Sequence, residues 1–109
     1  VVDARRCISY HTIENRGEIP AEIQERMGQW VCGCDACQEV CPWNRFAHET
    51  TEPDFLPRPE LANPDLDVWL AMDEQTFNRL TAGTPIRRVK YSGIQRNLRI
   101  ATRNRTAMR

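Results

Sequence analysis

The stretch Cys34-Asp35-Ala36-Cys37-Gln38-Glu39-Val40-Cys41-Pro42-Trp43-Asn44 constrains this chain more than any other. Two cysteines with two residues between them, a third after three more, and a proline directly behind form the ending of bacterial ferredoxin-type motifs, C-x2-C-x3-C-P. The shorter gap lets a tight turn aim Cys34 and Cys37 at one centre. The longer gap sets Cys37 and Cys41 one helical turn apart on the same face. Pro42 lacks an N–H and disfavours helix at Cys41, so the chain is expected to leave the centre there. An iron–sulfur site of the 4Fe–4S kind is the leading expectation. Structural zinc is the alternative, because C-x2-C pairs serve zinc as well. Zinc sites usually pair two such knuckles, however, and give no reason for the C-x3-C-P ending.

The remaining cysteines and the histidines carry weaker signals. Cys7 stands alone and could be a small buried hydrophobe; its flanking Arg5 and Arg6, and the need for one more ligand, favour a ligand. Cys32 lies too near Cys34 in sequence for a second ligand on the same cluster, and is read as packing. His11 and His48 are isolated and are read as structural or exposed. Trp43 is expected to shield the cluster from solvent, which would tune its potential.

Size and composition fit a cofactor-bound chain. With 109 residues it is one small domain at most, with a modest core. Its five cysteines are odd in number, and four of them fall within residues 32–41, unlike a disulfide framework. The opening Val1-Val2-Asp3-Ala4-Arg5-Arg6 has no apolar signal region, and no run approaches the length of a membrane span. Cytoplasmic thiolates held for metal are therefore expected, with no membrane partner. The chain opens without Met, and a fragment of a longer protein is expected.

Zero net charge hides a division. Residues 1–78 carry six arginines and all fifteen acidic residues, net −9, whereas 79–109 carry nine basic residues and no acid, net +9. A basic end of this kind either meets a polyanion or docks on the acidic body.

Read in order, Val1-Val2-Asp3 looks like a strand's end and Ile8 to Ile13 a short helix. Pro20 opens a helix through about Met27, with Ile19, Ile23 and Met27 on one stripe and Gly28 as its stop. From Arg45 to Pro59 the chain is polar and proline-rich, a loop expected to wrap the core. Asn63-Pro64 should cap a helix burying Leu66, Trp69 and Leu70, and Asp73 one burying Phe77 and Leu80, ended by Gly83. Thr84-Pro85-Ile86 breaks the pattern. Ser92 is expected to cap a last helix with Ile94, Leu98 and Ile100 or Ala101 inward. The expected fold is mostly α: a ferredoxin-type cluster region over 1–60, then a helical segment with a basic end over 61–109.

Four segments together, "DARRCISYHTIE", "CGCDACQEVCPWN", "FLPRPELANPDL" and "GTPIRRVKYSGIQRN", resemble the epoxyqueuosine reductases, cobalamin-dependent enzymes of tRNA queuosine synthesis. The likeness runs through about Asn97, and the pairing of RRCISY with CPWN is its most specific part. It implies the second half of a two-cluster ferredoxin-like 4Fe–4S domain, followed by a short repeat-like helical segment. In such domains the last cysteine of each motif serves the other cluster. The resemblance then implies that Cys7, Cys34 and Cys37 hold one cluster and that Cys41 reaches a second, whose own motif would lie upstream. Whether Cys41 instead serves the cluster of Cys34 and Cys37 stays open from the residues.

The implied activity is reduction of epoxyqueuosine to queuosine at the tRNA wobble position. Clusters would relay single electrons to cobalamin, whose site and catalytic acid would lie mostly outside this chain; no catalytic residue is assigned within it. Arg87, Arg88 and Lys90 are candidate phosphate contacts for tRNA, with a solvated helix face as the bland alternative. An external electron donor and a monomeric state complete the expected partners. Two departures stand out: Cys32 replaces the aromatic usual in the family, and the residues from Arg99 do not clearly continue its helical-repeat tail. Two other classes remain open: an electron-transfer module serving a different oxidoreductase, and a zinc-stabilised nucleic-acid-binding module.

Overall fold

The structure, a computed structural model, describes residues 3–56, 61 and 65–107. Among them the regular elements are all helical and none is a strand, as the mostly-α reading expects. Val1 and Val2 lie outside the described residues. Asp3 is no strand end, because its carboxylate accepts the Arg5 N–H at 3.0 Å and caps a single 3-10 turn, Ala4–Arg6. A short side chain that can bond the backbone two residues on favours such a turn over an extended ladder.

The helix expected from Ile8 forms and then widens at Tyr10–Glu14, where the Asn15 N–H reaches back five residues to the Tyr10 carbonyl at 3.0 Å. Thr12 accompanies the widening: its hydroxyl bonds the Ile8 carbonyl at 2.8 Å, a back-bond of the sort that bends helices. Helix α1, Ala21–Arg26, follows Pro20, and its stripe of Ile19, Ile23 and Met27 is fully buried. Gly28 ends it at φ +55°, a conformation open to glycine and strained for side-chain-bearing residues. Helix α2, Ala36–Glu39, is one turn between two motif cysteines.

Helix α3, Leu66–Ala71, is capped by Asp65, which accepts the Asp67 N–H at 2.9 Å; the expected Asn63-Pro64 cap lies outside the described residues. Helix α4, Glu74–Thr81, is capped by Asp73 as expected, with Thr76 N–H to Oδ1 at 2.7 Å. Helix α5, Lys90–Ala107, starts earlier than the sequence suggests, and Ser92 sits in its first turn rather than at its cap. The reason is the 3-10 turn Pro85–Val89, which feeds directly into the helix through Lys90 at φ +68°.

Two cores result. Trp69, Phe77, Val89, Ile94 and Leu98 form one, with Ile13, Val31 and Cys32 packed against it; Ile19, Ile23, Met27 and Ile100 form the other, with Ile8 against it. Both combine residues from before position 60 with residues of α5, so the compositional division is bridged by shared packing. Burying each such side chain contributes about 1.5–3 kcal/mol. Of the segment expected to wrap the core, the described part, which holds the 3-10 turn Pro53–Phe55, leaves Phe46, Phe55 and Leu56 largely exposed, while Asp54, Phe55 and Leu56 line a cavity with Ile13, Cys32 and Ile86 at the edge of the first core. A run with three prolines and few inward anchors follows its own turns more readily than a core surface.

Candidate metal centre

Local hydrogen bonding fixes where the motif cysteines sit. Thr12 Oγ1 accepts the Gly33 N–H at 2.9 Å, and Ser9 Oγ accepts the Cys34 N–H at 3.0 Å. Two hydroxyls from the segment directly after Cys7 thereby hold the Cys34 loop. Gly33 at φ +80° supplies the turn between them. Beneath lies Asn97, wholly buried, whose amide donates to the Thr12 carbonyl at 2.9 Å and the Val31 carbonyl at 2.8 Å. Helix α5 thus props both strands of chain that carry Cys7 and Cys34.

Cys34 Sγ accepts the Ala36 N–H at 3.5 Å, the kind of amide-to-sulfur bond that tunes the potential of an iron–sulfur cluster when one is bound. Cys37 lies exposed on α2, and Cys41 follows one turn on, immediately before Pro42, where the chain leaves the helix as expected. Cys7, Cys34 and Cys41 are half-buried, and none of the five cysteines is in a disulfide. In donor chemistry this all-sulfur set fits a 4Fe–4S cluster. Among the described residues no three His, Cys, Asp or Glu side chains stand close enough to hold a single metal ion. A cubane cluster spreads its thiolates farther apart than one ion does.

The other sequence readings divide. Cys32 packs against the first core, and burial pushes its thiol pKa up, which suits a packing residue. His11 is buried and structural, its Nε2 at 2.7 Å from the Arg5 carbonyl, while His48 is exposed. Trp43 is 77% exposed and tilted against Phe46, with ring centroids 6.3 Å apart. Arg87 and Arg88 lie exposed on the Pro85–Val89 turn and Lys90 at the start of α5, so they share no helix face. Arg88 is engaged by Glu14, at 2.7 Å between Nε and Oε1. Sequence reasoning missed Ser9, Thr12, Arg16, Arg96 and Asn97. Their polar side chains bear no periodic signal, and only the fold reveals the carbonyls and amides they meet. No helix among the described residues is long and apolar enough to cross a membrane.

A family model described as a 4Fe–4S double cluster binding domain matches residues 1–44, the stretch that carries Cys7, Cys34, Cys37 and Cys41. Curated relatives resemble the chain over nearly its whole length. It is 48% identical over 103 residues to the epoxyqueuosine reductase of Escherichia coli strain K12 and 52% identical over 104 residues to that of Vibrio cholerae serotype O1. These alignments cover 94% and 95% of this chain but only 27% and 28% of the relatives. A crystal structure of epoxyqueuosine reductase with an epoxyqueuosine-modified tRNA-Tyr stem loop superposes with a TM-score of 0.81 at 34% identity, over 92% of this chain and 26% of that one. The likeness to the epoxyqueuosine reductases that the motifs suggest thus runs over more than nine-tenths of this chain. The chain spans about a quarter of the length of those relatives.

Proposed function

We propose that this chain is the cluster-bearing segment of an enzyme that reduces epoxyqueuosine to queuosine in tRNA. The observation that carries the reading is the continuous likeness to curated epoxyqueuosine reductases over 94% of the chain, cysteine motif included. Cys7, Cys34 and Cys37 would hold one 4Fe–4S cluster, and Cys41 would reach a second. Bound clusters would supply single-electron transfer toward cobalamin, to which we assign no residue of this chain. The chain's own part is mechanical and electrostatic. Ser9 and Thr12 fix the Cys34 loop, the Ala36 N–H donates to the Cys34 sulfur, and Asn97 anchors both to α5. Arg87 and Lys90, exposed and without an ion pair among the described residues, would meet a tRNA backbone at the basic end, with Arg88 shared with Glu14. The divisions at 1–60 and 61–109, a monomeric state, an external electron donor and a cytoplasmic site belong to the same proposal.

The test is anaerobic reconstitution of the full-length protein with iron and sulfide, followed by conversion of epoxyqueuosine-modified tRNA read by mass spectrometry. Cys34→Ala and Cys37→Ala should lower iron content and abolish conversion together. Cys41→Ala should depress a cluster distinguishable by electron paramagnetic resonance from the one lost with Cys34. An iron-loaded protein that leaves the tRNA unchanged, with cobalamin and reductant supplied, would point instead to an electron-transfer module. A colourless protein that takes zinc would overturn the cluster itself.

A further inference from the structure

A second site lies apart from the cysteines, where the end of the Tyr10–Glu14 turn meets the start of α5. A cavity of about 110 Å³ there is lined by Asn15, Arg16, Gly17, Ser92, Gly93 and Arg96. At roughly 30 Å³ per water this is room for three or four waters, or for one tetrahedral oxyanion. Its charge is positive. Arg96 Nη1 donates to the Asn15 and Gly17 carbonyls at 2.7 and 2.8 Å, Nη2 to the His11 carbonyl at 2.7 Å, and Nε to Asn97 Oδ1 at 3.0 Å. Arg16 donates to the Val89 and Arg88 carbonyls at 3.0 and 2.8 Å. Every one of these acceptors is neutral, and neither guanidinium forms an ion pair among the described residues. Glu14 feels the charge of Arg16, but its carboxylate is engaged by Arg88.

Two like charges side by side are costly unless something offsets them. Partial burial and, second to it, Arg16 disfavour the charged form of Arg96, and the carbonyls that grip the guanidiniums hold them in place. Guanidiniums so pre-positioned offer their remaining N–H groups to a multivalent anion without further ordering cost. The Ser92 hydroxyl, on the cavity wall in the first turn of α5 with no partner among the described residues, adds a donor.

We propose that this cavity binds a single phosphate group through Arg16, Arg96 and Ser92. Its physiological occupant, on the tRNA reading given above, is a backbone phosphate of the RNA; free phosphate would satisfy the same chemistry.

The test compares the full-length wild type with Ser92→Asp and with Gln75→Glu. Each variant changes the charge by the same amount, and each places an acid in the first turn of a helix, where the dipole favours it, so both should fold. Inorganic phosphate, titrated at constant ionic strength, should raise the melting temperature of wild type and Gln75→Glu saturably and leave Ser92→Asp unmoved. Binding of an anticodon stem-loop RNA should weaken several-fold in Ser92→Asp. Its dependence of log K on log salt should become shallower by about one phosphate contact, with Gln75→Glu unchanged. Phosphate stabilisation that is equal in all three proteins would overturn the site. A phosphate response lost in Ser92→Asp beside an unaltered RNA salt slope would overturn the RNA occupant and leave free phosphate. A wild type that takes phosphate but no RNA would refute the tRNA reading rather than the cavity.

Discussion

Asn97→Ala is the substitution whose cost follows most directly from the geometry. The side chain is wholly buried and makes three hydrogen bonds, donating to the Thr12 and Val31 carbonyls and accepting from Arg96 Nε. Truncation leaves two carbonyls and one charged N–H unpaired, each at about 1–3 kcal/mol when buried. Partial relaxation brings the expected loss to about 3–6 kcal/mol, a large share of the ~5–15 kcal/mol that holds a small domain folded. Because Thr12 also takes the Gly33 N–H, the Cys34 loop should loosen with it. Urea denaturation followed by far-ultraviolet circular dichroism should show the midpoint falling by roughly 2 M, given a slope of about 2 kcal/mol per molar. Iron loading should fall in parallel. Asn104→Ala is the matched control, since Asn104 also donates to two carbonyls, of Gln24 and Gly28 at 2.9 Å each, but beside the other core and only part-buried. It should cost less and leave iron loading intact. A loss below about 1 kcal/mol for Asn97→Ala would refute the reasoning, because it would mean that Thr12 and Val31 find other donors.

Three further outcomes follow from single residues. Gly33→Ala, forced to keep φ +80°, should lose about 1–2 kcal/mol by calorimetry and part of its cluster content, and an unchanged melting temperature would show that the loop re-forms at negative φ. With the metal removed, Cys32 should be alkylated by iodoacetamide more slowly than exposed Cys37, since burial raises its pKa; equal rates by peptide mass spectrometry would contradict its packing against the first core. Hydrogen bonding from Arg88 holds the Glu14 carboxyl below its ordinary range, so the pair's stabilisation is present above that range and fades as pH falls through the lowered value. Melting curves from about pH 7 down to about pH 3 should therefore fall less steeply for Glu14→Gln, and identical acid limbs would remove the ion pair from the account.

The cysteine spacing announced the cluster chemistry, and the apolar periodicity announced α1, α4 and α5, because both are local: a period of 3.6 or a two-residue gap is complete within a few residues. Stop and start residues such as Gly28, Asp73 and Gly83 were legible for the same reason. The family likeness was legible because several such local patterns stood in one order along the chain.

What escaped the sequence is what needs two distant segments at once. Nothing in the string Arg96-Asn97 indicates that these side chains would bond carbonyls such as those of Asn15 and Thr12, 81 and 85 residues away, with Asn97 wholly buried. Ser9 and Thr12 read as ordinary helix residues until Gly33 and Cys34 arrive to use their hydroxyls. Ser92 lost its expected cap because Pro85–Val89, packed through Val89 into the first core, delivers the chain to helix two residues earlier. Local propensity is decided within a turn of chain, whereas a buried polar group is tolerated only where the fold brings it a partner, and that partner is chosen by tertiary structure alone.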